Sequence, residues 1–375
     1  MIYLDYAANT PTDDRVLDVF CRAAREYIAN ANSPHPLGER AARRVAAATS
    51  HIARIMGAGE DEVIYTSGAS ESNNLAIKGV AEQYKAYGRH IITTCLEHAS
   101  VSGPVLWLEQ NGYEIDWLDV NPDGRIDLSE LRELLRNDTI LVSVCAVDSE
   151  LGTRQDIAQI AALLAGRPHC FLHVDATQAV GKIPVTFDGV DLMTFTPHKF
   201  YGPVGCGVLL RRGQVRLSPQ IQGGASTTPY RSGTPAVPLI AATEEALSLA
   251  VTEREERYRH VSALNARLRE AFAQAPHVRV NSPAGAVPYI LNISVDGGRG
   301  EALRLALAER GICVASKTAC CAARTVSRPV FALTHDRRAA ASTLRISLSH
   351  LTTAEELDRF QAAFADCSRR IFAAP

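Results

Sequence analysis

Six short runs, apolar or β-branched almost throughout, recur along the first part of the chain, with longer stretches of helical period between them. The runs span 62–65, 90–94, 140–144, 170–174, 192–195 and 206–210, and the plainest helical stretches span 70–84, 128–135 and 156–164. A strand without a polar face must be covered on both sides, and an intervening helix returns the chain so that the next strand lies parallel. The pattern therefore predicts an α/β fold with a mostly parallel central sheet and helices on both faces. At 375 residues the chain also exceeds the size at which a single core stops growing. Beyond Pro238 the texture changes: Tyr258, Val261, Leu264, Leu268 and Phe272 share one helical face in a run rich in Glu, Arg and Ala. We expect a large domain over 12–254 and a smaller α+β domain formed by 1–11 with 255–375.

Composition excludes several classes. Lys and Arg number 39 against 41 Asp and Glu, and no basic tail or stripe marks a nucleic-acid surface. This balance leaves protein partners open. The opening Met1–Asp5 lacks the basic and apolar regions of a signal peptide. The best apolar stretch, 157–165, contains Gln159 and is too short to cross a membrane. Nine scattered cysteines without CxxC or Cys/His spacing argue against a disulfide framework or a structural metal. A cytoplasmic protein without membrane or direct nucleic-acid contact is expected.

The chemistry concentrates around Thr194-Phe195-Thr196-Pro197-His198-Lys199-Phe200-Tyr201-Gly202-Pro203. A lysine directly after a buried strand must be solvated, paired or chemically used. Condensation of its amine with an aldehyde is one such use; a surface lysine in a strand-to-helix loop is the other reading. Upstream, His173-Val174-Asp175-Ala176-Thr177-Gln178 puts Asp175 at the end of another apolar strand. There it can pair with the ring nitrogen of a pyridine cofactor, or cap the next turn. The turn Thr66-Ser67-Gly68-Ala69-Ser70 follows a strand and opens a helix, which suits a phosphate group, although capping boxes look similar.

In this order and spacing the three pieces resemble the fold-type I, class V aminotransferase-like enzymes that use pyridoxal 5'-phosphate (PLP). The nearer match is the cysteine desulfurase family (NifS/IscS-like). The resemblance runs from Tyr3-Leu4-Asp5-Tyr6 to Leu344-Arg345-Ile346-Ser347. It implies that Lys199 holds PLP as a Schiff base and then carries the substrate Cα proton. His98 would stack on the ring and act in proton transfer, Asp175 would pair with the ring nitrogen, and Gln178 would bond the ring oxygen. Ala69, Ser70, Thr196 and His198 would hold the phosphate. Thr234 would reach the phosphate of a partner subunit, which implies a homodimer. Arg345 would clamp the substrate carboxylate.

The resemblance also makes Cys320, in Ala315-Ser316-Lys317-Thr318-Ala319-Cys320-Cys321, the nucleophile. Its thiolate would take sulfur from L-cysteine as a persulfide, release L-alanine and pass the sulfur to an acceptor protein; Lys317 would favour the thiolate. A small buried hydrophobe is the other reading of such a cysteine. Three departures stand out. Asp148-Ser149-Glu150 replaces an Asn-Asn-Glu segment, so Ser149 occupies a substrate-binding position without an amide. The 223–230 loop has lost a charged pair, and Cys321 doubles the cysteine, leaving open which of the two works. These suggest a dedicated sulfur donor for one modification pathway. The alternatives are a selenocysteine lyase or C–S lyase without a nucleophilic cysteine, and a low-activity scaffold subunit.

Overall fold

The computed structural model describes residues 1–316 and 326–373. The chain opens with β1 (Ile2–Tyr3). The large sheet then collects β2 (Val63–Thr66), β3 (His90–Thr94), β4 (Glu114–Leu118), β5 (Thr139–Cys145), β6 (Phe171–Asp175), β7 (Leu192–Phe195) and β8 (Gly207–Arg211). Their spatial order is β2-β8-β7-β6-β5-β3-β4. The pairs of β3 with β4 and β5, of β5 with β6 and of β6 with β7 are parallel, whereas β8 runs antiparallel to β7 and β2. The reversal has a simple cause. The link from β7 to β8, which carries Lys199, has no room for the helical crossover that a parallel return requires.

Neighbouring residues of single strands enter opposite cores, as two covered faces demand. Ile91 and Leu141 pack with Leu75, Val80 and Val105, from the helices Ala69–Tyr84 and Ala99–Gln110. Ile92 and Val142 pack with Val16, Val45 and Ile240, from Asp14–Glu26, Pro36–Met56 and Val237–Thr252. Sequence pattern missed β4, the edge strand. Glu114 and Asp116 interrupt it with charge and only Leu118 is fully buried, so it does not read as an apolar run.

The later part of the chain forms a three-stranded antiparallel sheet, β12-β10-β9, from β9 (Val278–Val280), β10 (Ile290–Val295) and β12 (Thr343–Ser347). The short β11 (Ile312–Cys313) pairs in parallel with β1. The helix Arg254–Ala273 buries Val261, Leu264, Leu268 and Phe272, and Phe272 meets Phe364 of Ala354–Ala373 edge-on at 5.0 Å. The N-terminal strand therefore lies among these late elements: Leu4 N donates to Cys313 O, and Ser347 N donates to Leu4 O. From there residues 5–8 pass toward the carboxyl ends of the large sheet. Among the described residues no helix is long and apolar enough to cross a membrane.

Candidate active site

One cavity of about 370 Å³ opens at the carboxyl ends of β5, β6 and β7, where open α/β sheets bind ligands. Lys199 ends a single tight turn, Pro197–Lys199, after β7. Several bonds hold that turn. Thr196 Oγ1 donates to Cys206 O at 2.8 Å, so His198 Nδ1, 3.0 Å from the same hydroxyl, carries the hydrogen between them. Burial, then the Lys199 and Lys182 charges, bring His198 down to about 4. Tyr201 adopts a left-handed φ of 70°, a costly conformation for this residue type, and is held there by Tyr201 N donating to Thr10 Oγ1 and by its hydroxyl 2.6 Å from Ser349 Oγ. Lys199 Nζ donates to Ala7 O at 3.0 Å and Ala8 O at 2.6 Å. The N-terminal segment is thus part of the lysine's seat.

A chain of hydrogen bonds joins Asp175 to His98. Asn73 Nδ2 donates to Asp175 Oδ2 and to Ser100 Oγ, each at 2.9 Å. Ser100 Oγ lies 2.8 Å from His98 Nδ1, which also accepts from Ser100 N. The hydroxyl therefore donates to Nδ1, and the neutral ring keeps its proton on Nε2. Burial holds His98 below the ordinary imidazole range, opposed by the Asp175 charge. Beneath it, Glu97 accepts from Thr94 Oγ1 and Cys145 N, and its Oε2 has no partner among the described residues. Burial and then the Asp175 charge push the Glu97 carboxyl up to about 8. Gln178 Nε2 donates to Ala7 O at 2.9 Å.

The opposite rim is built by Arg345, on β12 and almost wholly buried. Nη2 donates to Asp5 Oδ1 at 2.8 Å and Nη1 to Ser149 O at 3.0 Å, while Nε has no partner among the described residues. The Ser149 carbonyl is presented by a turn in which Asp148 Oδ2 accepts from Glu150 N and Leu151 N. Cys320, Cys321 and Lys317 lie outside the described residues. The residues flanking them are fastened on both sides of the cavity: Ala315 pairs through its backbone with Arg345, and Arg328 Nη2 donates to Glu97 O on the large-sheet side.

A family model described as aminotransferase class-V matches residues 2–360. A curated relative, "Cysteine desulfurase IscS" of Enterobacter sp. (strain 638), is 40% identical over 95% of this chain and 90% of its own. The chain belongs to the class-V aminotransferase family, among its NifS/IscS-like cysteine desulfurases. A solved structure titled as a NifS-like protein superposes with a TM-score of 0.92 at 33% identity, covering 98% of this chain and 99% of that one. Another, titled "SspA in complex with cysteine", gives 0.82 at 29% identity over 94% and 100%.

Enzymes of this family use PLP, and the cavity's residues fit it at three points. Residues 67–70 line one end, at the start of the helix Ala69–Tyr84, whose first N–H groups suit a phosphate. Gly207 permits that turn to sit on the sheet, since a Cβ there would lie 2.4 Å from Gly68 C. Thr196 and His198 line the same cavity, and Arg231 steadies the turn through Glu71 at 2.8 Å. Lys199 would supply the amine. Asp175, buried yet accepting only from Asn73 and Thr177 N among the described residues, would offer an acceptor to a ring N–H. Thr234 stands apart, exposed and lining a neighbouring pocket with Arg231.

Of the residues singled out in the sequence, Lys199, His98, Asp175, Gln178, Ala69, Ser70, Thr196, His198, Ser149 and Arg345 line this one cavity. Sequence reasoning missed Asn73, Ser100, Glu97 and Asp5. A signal existed for Asn73, because Ser72 and Asn73 are polar yet buried on a helix face otherwise made by Leu75, Ala76 and Val80. Ser100 follows His98 at the spacing of a cap, but Asp5 offers no local sign of its partner.

Proposed function

We propose that this site converts L-cysteine to L-alanine and takes the sulfur onto Cys320 as a persulfide. The observation that carries the proposal is the meeting of the Lys199 amine, the Asp175 carboxylate, the His98 imidazole and the Arg345 guanidinium on one cavity. PLP bound there supplies an electron sink that makes the substrate Cα proton labile. Lys199 carries that proton, with its Nζ directed by the carbonyls of Ala7 and Ala8. The Arg345 fork, with Nε unpartnered among the described residues, takes the substrate carboxylate. The neutral His98 offers its Nε2–H, held in that tautomer by Ser100. The Cys320 thiolate attacks the substrate sulfur: an S–S bond forms, the C–S bond breaks, and the electron pair of that bond takes a proton at Cβ. Cysteine plus thiol thus give alanine plus persulfide with no external oxidant.

Cys320 follows Ser316 by four residues, a chain length of at most about 14 Å, and Ser316 and Val326 are the described residues on either side of that segment. Cys321 lies within nearly the same reach, so the choice of Cys320 rests on the family resemblance. Single-turnover reaction with L-cysteine, followed by alkylation and peptide mass mapping, tests it. The label is expected on Cys320, with alanine release lost in Cys320→Ser and kept in Cys321→Ser. Full turnover by the double variant would overturn the proposal.

The wider reading belongs to the same proposal. The molecule is a cytoplasmic homodimer in which Thr234, exposed and outside the cavity of its own chain, serves the partner's phosphate site. A sulfur-acceptor protein, such as an iron–sulfur scaffold or a carrier, completes the cycle. Residues 12–254 form the large domain, and 1–11 with 255–375 form the small one. The pairing of β1 with β11, and of Leu4 with Cys313 and Ser347, supports that division.

A further inference from the structure

Lys182 stands four residues beyond Gln178, in the turn after β6, and is buried. Gly181 allows the turn to close. Its φ of 77° is left-handed, and a Cβ there would lie 2.9 Å from both Ala250 Cβ and Phe200 Cβ. The turn is thereby pressed against the residue that follows Lys199. Buried lysines normally have a carboxylate. Among the described residues, the hydrogen bond of Lys182 Nζ goes instead to Gln178 Oε1 at 2.5 Å, and the Tyr289 ring lies 5.9 Å away. The charged and titratable groups around it are Lys199, Arg345 and Arg257, with Tyr6, Tyr201 and Tyr289; a small void of about 10 Å³ separates several of them. Burial first, then the charges of Lys199 and Arg345, bring the Lys182 amine down to about 7. An amine donates in either protonation state, so the bond to Gln178 persists through neutrality.

The consequence falls on Gln178. An amide can be turned either way at little steric cost. Here the protonated amine of Lys182 can only donate and the Ala7 carbonyl can only accept, so Oε1 faces Lys182 and Nε2 faces Ala7. One N–H of Nε2 remains, on a side chain that lines the cavity with Lys199. We propose that Lys182 is a positioning residue that locks the Gln178 amide so that its remaining N–H is directed to the ring oxygen of bound PLP. The proposal rests on the reading of Gln178 as the donor to that oxygen.

The test uses the reconstituted holoenzyme and reads the pH midpoint of the visible band of bound PLP, alongside cysteine turnover. Lys182→Met keeps the length of the side chain and removes the donor. Its midpoint is expected to rise by about one pH unit, because the ring oxygen loses a fixed donor and a cation leaves the neighbourhood. Thermal stability is expected to hold or rise, since a buried amine without a carboxylate is gone; Lys182→Leu provides a second apolar replacement. Lys182→Arg retains an N–H donor and is expected to bring the midpoint to within about 0.3 unit of the parent. An unchanged midpoint in both apolar variants overturns the proposal, as does an Arg variant shifted as far as they are. Gln178→Glu separates the two levels of the reading, because it still accepts from Lys182 but offers no N–H to the ring. A shift in Gln178→Glu without one in Lys182→Met leaves the Gln178 reading standing and removes Lys182. No shift in either removes both, and a shift in Lys182→Met alone overturns the proposal by showing that Lys182 acts on Lys199 directly.

Discussion

The two walls of the cavity are built on different principles. The large-sheet wall is a continuous network: Asp175, Asn73, Ser100 and His98 are joined donor to acceptor, and what it leaves unpartnered among the described residues are acceptors, Asn73 Oδ1 and Glu97 Oε2. The facing wall, around Arg345, is held at two points and leaves a buried Nε unpartnered among the described residues. A continuous network suits a cofactor that stays, because its cost is met once and the geometry never has to change. A buried donor left open suits a substrate that must come and go, because the missing bond is completed only when the ligand arrives. Of the departures from the family pattern, Ser149 lies on the second wall, whereas Ser226 and Thr227 of the 223–230 loop line a pocket beside Tyr65, Thr66 and Ser67.

That contrast can be broken most sharply at Arg345. Arg345→Lys removes the planar fork while keeping a charge, and the KM for cysteine is expected to rise about 100-fold with a smaller change in kcat. Steady-state kinetics across cysteine concentration measures it. An effect confined to kcat would mean that this wall, too, serves the cofactor. Asn73→Ala cuts the first network at its centre, and a fall in kcat of about tenfold is expected with KM nearly unchanged. If KM alone moved, the network would belong to substrate binding.

The smallest effect concerns stability at Glu97. Its carboxyl is raised in the folded protein to about 8, so the stability it contributes is complete below its ordinary value and is lost as pH rises through about 8. Glu97→Gln is neutral at every pH. Its melting temperature is expected to gain on the parent by about 2 °C between pH 6 and pH 9. Differential scanning fluorimetry at both pH values reads this, and a constant offset would show that Glu97 does not titrate in that window.

Much of the first wall is legible in the residues alone. Lys199, Asp175 and the 66–70 turn each stand at or just after the end of a fully buried, mostly apolar strand, where ligands of open α/β sheets bind. The network that completes them is not legible in that way. Asn73 and Asp175 are 102 residues apart, and no local pattern says which polar residue a buried carboxylate will meet. Arg345 and Asp5 are 340 apart, and their contact depends on β1 lying beside β11 while residues 5–8 cross to the large sheet. The edge strand β4 escapes notice for the converse reason. Its outer face reaches water, so it never shows the wholly apolar signature of its neighbours.

The sequence by itself determined most of the sheet and the placing of Lys199 directly after one of its strands. Those depend on short-range pattern: period, apolar run length and the residues within one turn of a strand end. Tertiary structure alone decided how each group is aimed. It set the tautomer of His98, the direction of the Gln178 amide beside a buried Lys182, and the guanidinium of Arg345 between Asp5 and Ser149. Orientation is a property of donors and acceptors brought together from distant parts of the chain. Only packing can bring them together, because burial makes each unpaired polar group costly and so selects the partner.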